Sequence, residues 1–181
     1  MPLRKILTYP ATELKHLSEP VKNIDGDVNQ LVTDLVDTMY HAPGVGLAAP
    51  QVGIAERIIV IDVDAAENAG KQLIKLINPV IVEAEGSVIW EEGCLSVVDY
   101  TAEVKRANHI LVRGWTTDEK EIEIDAEDFL AVALQHEIDH LDGKLFIDRI
   151  SRLKRDLYRR KVKKWIRDGV PMESKKPAVG M

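Results

Sequence analysis

The stretch from Phe129 to His140 restricts the fold more than any other part of the chain. It contains His136-Glu137-Ile138-Asp139-His140, and four residues of α-helix turn through about 400°, so on a helix both imidazoles project from one face, a turn apart. Two imidazoles so placed can bind one metal ion, with Glu137 near enough to act on a water held by it. The plainer alternative is a pair of hydrogen-bonded histidines on a charged helix. Phe129, Val132 and Ala133 lie seven, four and three residues before His136 and run an apolar strip along the same face. A substrate pocket beside a metal needs such a strip. The fold therefore has to supply a helix here and to bring a third ligand to it from elsewhere.

The other segments point to an α+β arrangement. From Asp27, the positions Val28, Leu31, Val32, Leu35, Val36 and Met39 follow the spacing of an amphipathic helix; Asp25 or Asp27 can cap its start, and Pro43-Gly44 ends it. Residues 44–53 are small and punctuated, and read as an ordered loop. Strand-like runs follow at 57–62, 72–82, 87–90, 104–107, 110–115 and 120–124, with 110–112 and 121–124 pairing as a hairpin. The helix bearing the histidines begins near Asp125, with Asp128 three residues on as a capping box, and Gly143 stops it. A last helix spans 151–167, with Leu153, Leu157, Val162 and Trp165 available for docking. Helix, strands, helix, helix is the order of an α+β fold with mainly antiparallel sheets around the central histidine helix. A chain of 181 residues suits one domain, 1–168, followed by a loose tail at 169–181.

Composition excludes several classes. With 45% hydrophobic and 30% charged residues, wholesale disorder is ruled out. No apolar run approaches the roughly 18–20 residues that span a bilayer. The N-terminus has two early positive charges but no apolar stretch behind them, so no signal peptide is expected. Cys94 has no second cysteine to pair with, which fits a reducing compartment, the cytoplasm by default. Gly44-Val45-Gly46-Leu47-Ala48-Ala49 formally matches a dinucleotide fingerprint, but it follows a helix instead of a strand and Pro50 obstructs the helix that should come next, so no nucleotide cofactor is expected. The net charge of −6 conceals an acidic body and a basic end, with ten Lys or Arg between 149 and 168 against Asp156 and Asp168.

The third ligand is not the one used by the common zinc peptidases. Where a metzincin has its last histidine this chain has Phe146, and no Glu lies between Glu137 and Glu173. Asp148 and Cys94 remain as candidates. Three segments then act together: residues 44–51 (GVGLAAPQ), 92–96 (EGCLS) and 135–143 (QHEIDHLDG). In this order and at these separations they resemble the three signatures of the peptide deformylases, and the resemblance covers about residues 1–168.

That resemblance implies a cytoplasmic, metal-dependent hydrolase that removes the formyl group from N-terminal formyl-methionine of nascent polypeptides and releases formate. It makes Cys94, His136 and His140 the ligands of one divalent ion, ferrous iron by expectation, with zinc, nickel or cobalt as substitutes, and a water or hydroxide in the open position. Glu137 becomes general base and then acid. The Gln51 side-chain amide and the Leu95 backbone N–H stabilise the oxyanion. Val45 and Gly46 hold the substrate backbone and line the methionine pocket, with Trp90, Phe129, Val132 and Ala133 as further pocket residues. Glu92 and Arg106 are expected to pair in support of the ligand-bearing strand, and the basic helix to dock on ribosomal RNA. The chain departs from the family pattern at Val98, where most relatives have Pro, and in Asp99-Tyr100-Thr101, which lacks an arginine often found at the pocket mouth. The competing readings are an HExxH metallopeptidase and a non-catalytic, ribosome-associated metal-binding protein.

Overall fold

Residue alternation in one short strand organises the molecule. The computed structural model describes residues 3–172; the tail expected at 169–181 lies outside the described residues from 173 onward. Strand β2 (Ile58–Ile61) is apolar and buried on both faces. Its Ile59 and Ile61 face a core shared with Val132, Leu134 and Ile138, while Ile58 and Val60 join a second core with Leu31, Leu35 and Met39. The first group belongs to α3 (Asp128–Leu141) and the second to α1 (Gly26–His41), so the sheet lies between the two helices. This is the continuous apolar run expected of a strand covered on both sides.

The sheet has five antiparallel strands in the order β1-β2-β3-β6-β7, with β1 at Gly46–Ala48, β3 at Ile74–Glu85, β6 at His109–Trp115 and β7 at Glu121–Glu127. The expected hairpin pairs β6 with β7, Val112 opposite Ile124. A separate two-stranded sheet is made by β4 (Val88–Cys94) and β5 (Val97–Arg106). A one-turn helix α2 (Ala65–Asn68) interrupts the connection from β2 to β3. The last helix, α4 (Arg152–Arg167), covers β5 through a third core that includes Cys94, Val104, Phe146, Tyr158 and Val162.

Several local expectations need correction. Asp25, not Asp27, caps α1, accepting from the N–H groups of Asp27 and Val28. Residues 46–48 form a strand and Ala49–Val52 a 3-10 turn instead of a loop, because Gly46, Leu47 and Ala48 pair with Ile61, Val60 and Ile59. Strand β5 starts at Val97, seven residues before the expected 104. The capping box at Asp125 and Asp128 does not form. The β6–β7 ladder runs on until His109 meets Glu127, and α3 starts at Asp128 without a side-chain cap. Asp125 instead accepts from His109. Of the expected docking residues, Val162 is buried and Trp165 partly so, but Leu153 and Leu157 are 71% and 55% exposed, and Tyr158 is buried in their place. Gly143 does end α3, with φ at 67°.

Candidate metal centre and active site

Helix α3 is enclosed on nearly all sides, Ala131 to Leu141 being buried apart from Gln135. Its polar residues must therefore find partners inside the protein. Those of the two histidines, Glu92 and Cys94, come from β4. That strand runs alongside α3 and ends at Cys94, so Cys94, His136 and His140 converge, with one ligand atom of each inside a sphere of contacts no longer than 4.8 Å. Cys94 Sγ and His140 Nε2 are 3.3 Å apart, and the two imidazoles meet edge to face with centroids 5.1 Å apart. Of the two candidates for third ligand, the structure brings in Cys94. Asp148 is engaged elsewhere, with Lys15 and the Leu145 N–H.

The surroundings prepare these atoms as ligands. Glu92, two residues back along β4, accepts from His136 Nδ1 at 3.0 Å, which leaves Nε2 of that ring as the atom with a lone pair for a metal. Arg106 holds both Glu92 oxygens, at 2.6 and 2.8 Å, so the expected ion pair is present and fully buried. Burial and the neighbouring His136 keep His140 well below its ordinary pKa, in the neutral form that ligates. His136 is held well above its ordinary value: burial opposes this, but Cys94 and Glu92 prevail. Negative groups that favour a proton at this place favour a cation equally. A buried thiol with two imidazoles suits a borderline-soft divalent ion and not magnesium or calcium, so the residues fit the implied metal.

Glu137 lies beside this cluster, 2% exposed, and its Oε2 has no hydrogen-bond partner among the described residues. Burial, with the nearby Glu92 and Asp139 charges adding to it and His136 and Arg106 opposing, pushes its pKa up to about 7. That value suits a group that takes and returns a proton near neutrality. Its other oxygen lies against Gly46, where an added Cβ would collide with the carboxylate. Gln51, in the 3-10 turn after β1, has its amide orientation fixed. Oε1 accepts from the Ala48 N–H at 2.8 Å, and Nε2 points at Ser96 Oγ (3.1 Å) and Cys94 Sγ (3.7 Å). Leu95 lies in the turn between β4 and β5, its side chain filling the space left by Gly44. Trp90 and Phe129 stack at 5.4 Å, and both pack with Val45 against the core containing Val132 and Ala133. The residues named from the sequence therefore lie along α3, with Trp90 against Phe129 in its first turn and Cys94 against His136 and His140 toward its C-terminal end.

Sequence reading missed Ser96, which secures Gln51, and the pair Asp139 and Arg149. Asp139, between the two histidines, accepts from Arg106 and from Arg149. Its position inside the motif was a usable signal; for Arg149 there was none. His16 and His41 are exposed and lie outside this cluster. A groove of about 660 Å³ between Arg4, residues 19–23 and α1 is lined by none of the site residues, and its lining offers no comparable set of reactive groups.

The model of the Polypeptide deformylase family matches residues 3–156. The chain belongs to that family. The peptide deformylase of Thermodesulfovibrio yellowstonii is 49% identical over 163 residues, 90% of this chain and 98% of that one. That of Syntrophobacter fumaroxidans is 49% identical over 168 residues, 93% and 98% of the two chains. Among solved structures, the Legionella pneumophila peptide deformylase superposes with a TM-score of 0.85 at 44% identity, covering 92% of this chain and 96% of the other. The Ehrlichia chaffeensis peptide deformylase in complex with actinonin gives 0.84 at 39% identity, with 91% and 98% covered. The α+β fold read from the sequence is the deformylase fold, and the chain is an enzyme of the hydrolase class.

Proposed function

We propose that this deformylase removes the formyl group from N-terminal formyl-methionine of nascent polypeptides, with Cys94, His136 and His140 holding one divalent ion. The observation that carries the reading is the buried Cys–His–His cluster with an unpartnered Glu137 carboxylate oxygen at its side. A cation bound there, ferrous iron by expectation, supplies Lewis acidity and lowers the pKa of a coordinated water from about 15.7 toward about 7.

The protein's own groups do the rest. Glu137 accepts the proton of the water that attacks the formyl carbon and delivers it to the departing amine nitrogen, so formate and a free N-terminus leave together. The Gln51 Nε2–H and the Leu95 N–H donate to the oxygen on which negative charge develops. Ser96 and Ala48 keep Gln51 from flipping and presenting its oxygen instead. Gly46 leaves room for the Glu137 carboxylate and with Val45 holds the substrate backbone, and Val45, Trp90, Phe129, Val132 and Ala133 form the apolar wall for methionine.

Residues 1–168 act as one catalytic unit in the cytoplasm, a reading supported by the family match over most of that span and by a single buried cysteine. Among the described residues no helix is long and apolar enough to cross a membrane. Helix α4 presents Lys154, Arg160, Lys163 and Lys164 to solvent, a surface suited to the phosphates of ribosomal RNA. Formate release from a formyl-Met-Ala peptide by protein loaded anaerobically with ferrous iron, or with nickel, tests the reaction. Folded, metal-replete protein that released none would refute it.

A further inference from the structure

Four charged side chains form a continuous chain of bonds from the protein surface to a metal-ligating histidine. Arg149, 39% exposed in the segment before α4, donates from Nε and Nη2 to the two oxygens of Asp139. Asp139 Oδ2 also accepts from Arg106 Nη1 at 2.6 Å. Arg106 in turn holds both oxygens of Glu92, and Glu92 Oε2 accepts from His136 Nδ1. We infer that Arg149 is a positioning residue for His136, acting through Asp139, Arg106 and Glu92. The inference rests on the reading that Cys94, His136 and His140 hold a metal.

The geometry carries it. Two of the four links, Arg149–Asp139 and Arg106–Glu92, are two-pronged guanidinium–carboxylate contacts, which fix the plane of each group as well as its distance. A tilt at one end is therefore passed to the next member instead of being absorbed by rotation. Asp139, Arg106, Glu92 and His136 are all buried, so water cannot replace a lost partner. Arg149 is the end that can be removed without opening the core. Without it two buried carboxylates compete for the single guanidinium of Arg106, which is drawn toward Asp139 and away from Glu92. Glu92 then no longer holds the His136 ring at its present angle. A purely structural Arg149 would do no more than pin the turn before α4 to α3.

Cobalt(II)-loaded protein distinguishes the two roles. Wild type, Arg149→Ala and Arg149→Lys are compared by the visible ligand-field spectrum and by the rate of metal loss to a chelator, with Arg113→Ala, which breaks an exposed ion pair with Glu123, as control. The expected result is a changed spectrum and metal loss faster by about tenfold in Arg149→Ala, within the range seen when partners of metal ligands are removed. Arg149→Lys, which keeps the charge without the fork, falls between, and Arg113→Ala matches wild type. Should Arg149→Ala fail to fold, Arg149→Gln, which keeps the stem and a donor near the Nε position, carries the same comparison. A wild-type spectrum and wild-type rate of metal loss in the folded variant overturn the inference and leave the metal site standing. Wild-type protein that took up no cobalt would overturn both.

Discussion

The carboxylate of Glu137 rests directly against the backbone of Gly46, with no room between them for a Cβ. Strand β1 and helix α3 are packed together at this point, so the glycine sets where the carboxylate sits. Gly46→Ala should displace Glu137 and lower kcat by at least about tenfold, while the crowding costs about 1–3 kcal/mol of stability. The comparison is kcat at saturating substrate beside thermal unfolding; an alanine variant with wild-type kcat would show that the contact has no bearing on the base.

Gln51 and Ser96 act as a unit. Gln51→Ala removes an oxyanion donor and should cost about 10²–10³ in kcat. Ser96→Ala frees the amide and should cost less, since the Ala48 N–H still holds Oε1. In the Gln51→Ala background the further change Ser96→Ala should have almost no effect. Additive losses in the double-mutant cycle would mean that Ser96 works by another route.

The stacked Trp90 and Phe129 should decide how the pocket treats side chains. Trp90→Ala opens the apolar wall, and discrimination between formyl-Met and formyl-Ala peptides in kcat/KM should fall by about tenfold or more, the size of a change of one or two apolar groups in a pocket. Unchanged discrimination would place the methionine side chain elsewhere.

Acid should weaken the clamp of the N-terminal segment on α1. Hydrogen bonds from Gln30 and Arg4 hold the Asp34 carboxyl below its ordinary value of 3.8 despite burial. A carboxyl depressed in the folded state contributes its stability in full above the unfolded pKa and loses it as pH falls through the folded one. The stability gap between wild type and Asp34→Asn should therefore be widest near neutrality and close below pH of about 4. Denaturant titrations across that range check this; a gap constant down to acid pH would refute it.

For α4, truncation is a poor test of ribosome docking. Tyr158 donates to the Val98 carbonyl at 3.1 Å and Lys161 pairs with Asp99, so removing the helix uncovers the strand that follows Cys94. Charge reversal at the exposed Lys154, Arg160, Lys163 and Lys164 leaves that packing intact. The reversed protein should bind ribosomes more weakly with a shallower salt dependence, since each phosphate contact contributes to the slope. Equal affinity and slope would assign the basic face to solvation alone.

What could be read in advance followed from local pattern. The period of Val28 to Met39 and the alternation of β6 and β7 gave the helix and hairpin, and the His136 to His140 spacing gave the face on which the site is built. The pairing of Glu92 with Arg106 was also expected, once the resemblance had made Cys94 a ligand. What escaped depends on distant partners. Asp125 and Asp128 are good local capping residues, but pairing of β7 with β6 as far as Glu127 overrides them. Leu153 and Leu157 look like docking residues until Tyr158 is seen to reach Val98 from the next face of the helix. Arg149 reads as the first charge of a basic tail, and only the return of the chain to α3 reveals its partner in Asp139.

The most direct test of the central claim is formate release by Glu137→Gln with its metal content measured on the same sample. The variant should retain one metal ion per chain, because Cys94, His136 and His140 are untouched, yet lose at least about 10²-fold in kcat, the lower range for loss of a general base. Turnover near the wild-type rate at full metal content would contradict the assignment of Glu137 and, with it, the mechanism built around that carboxylate.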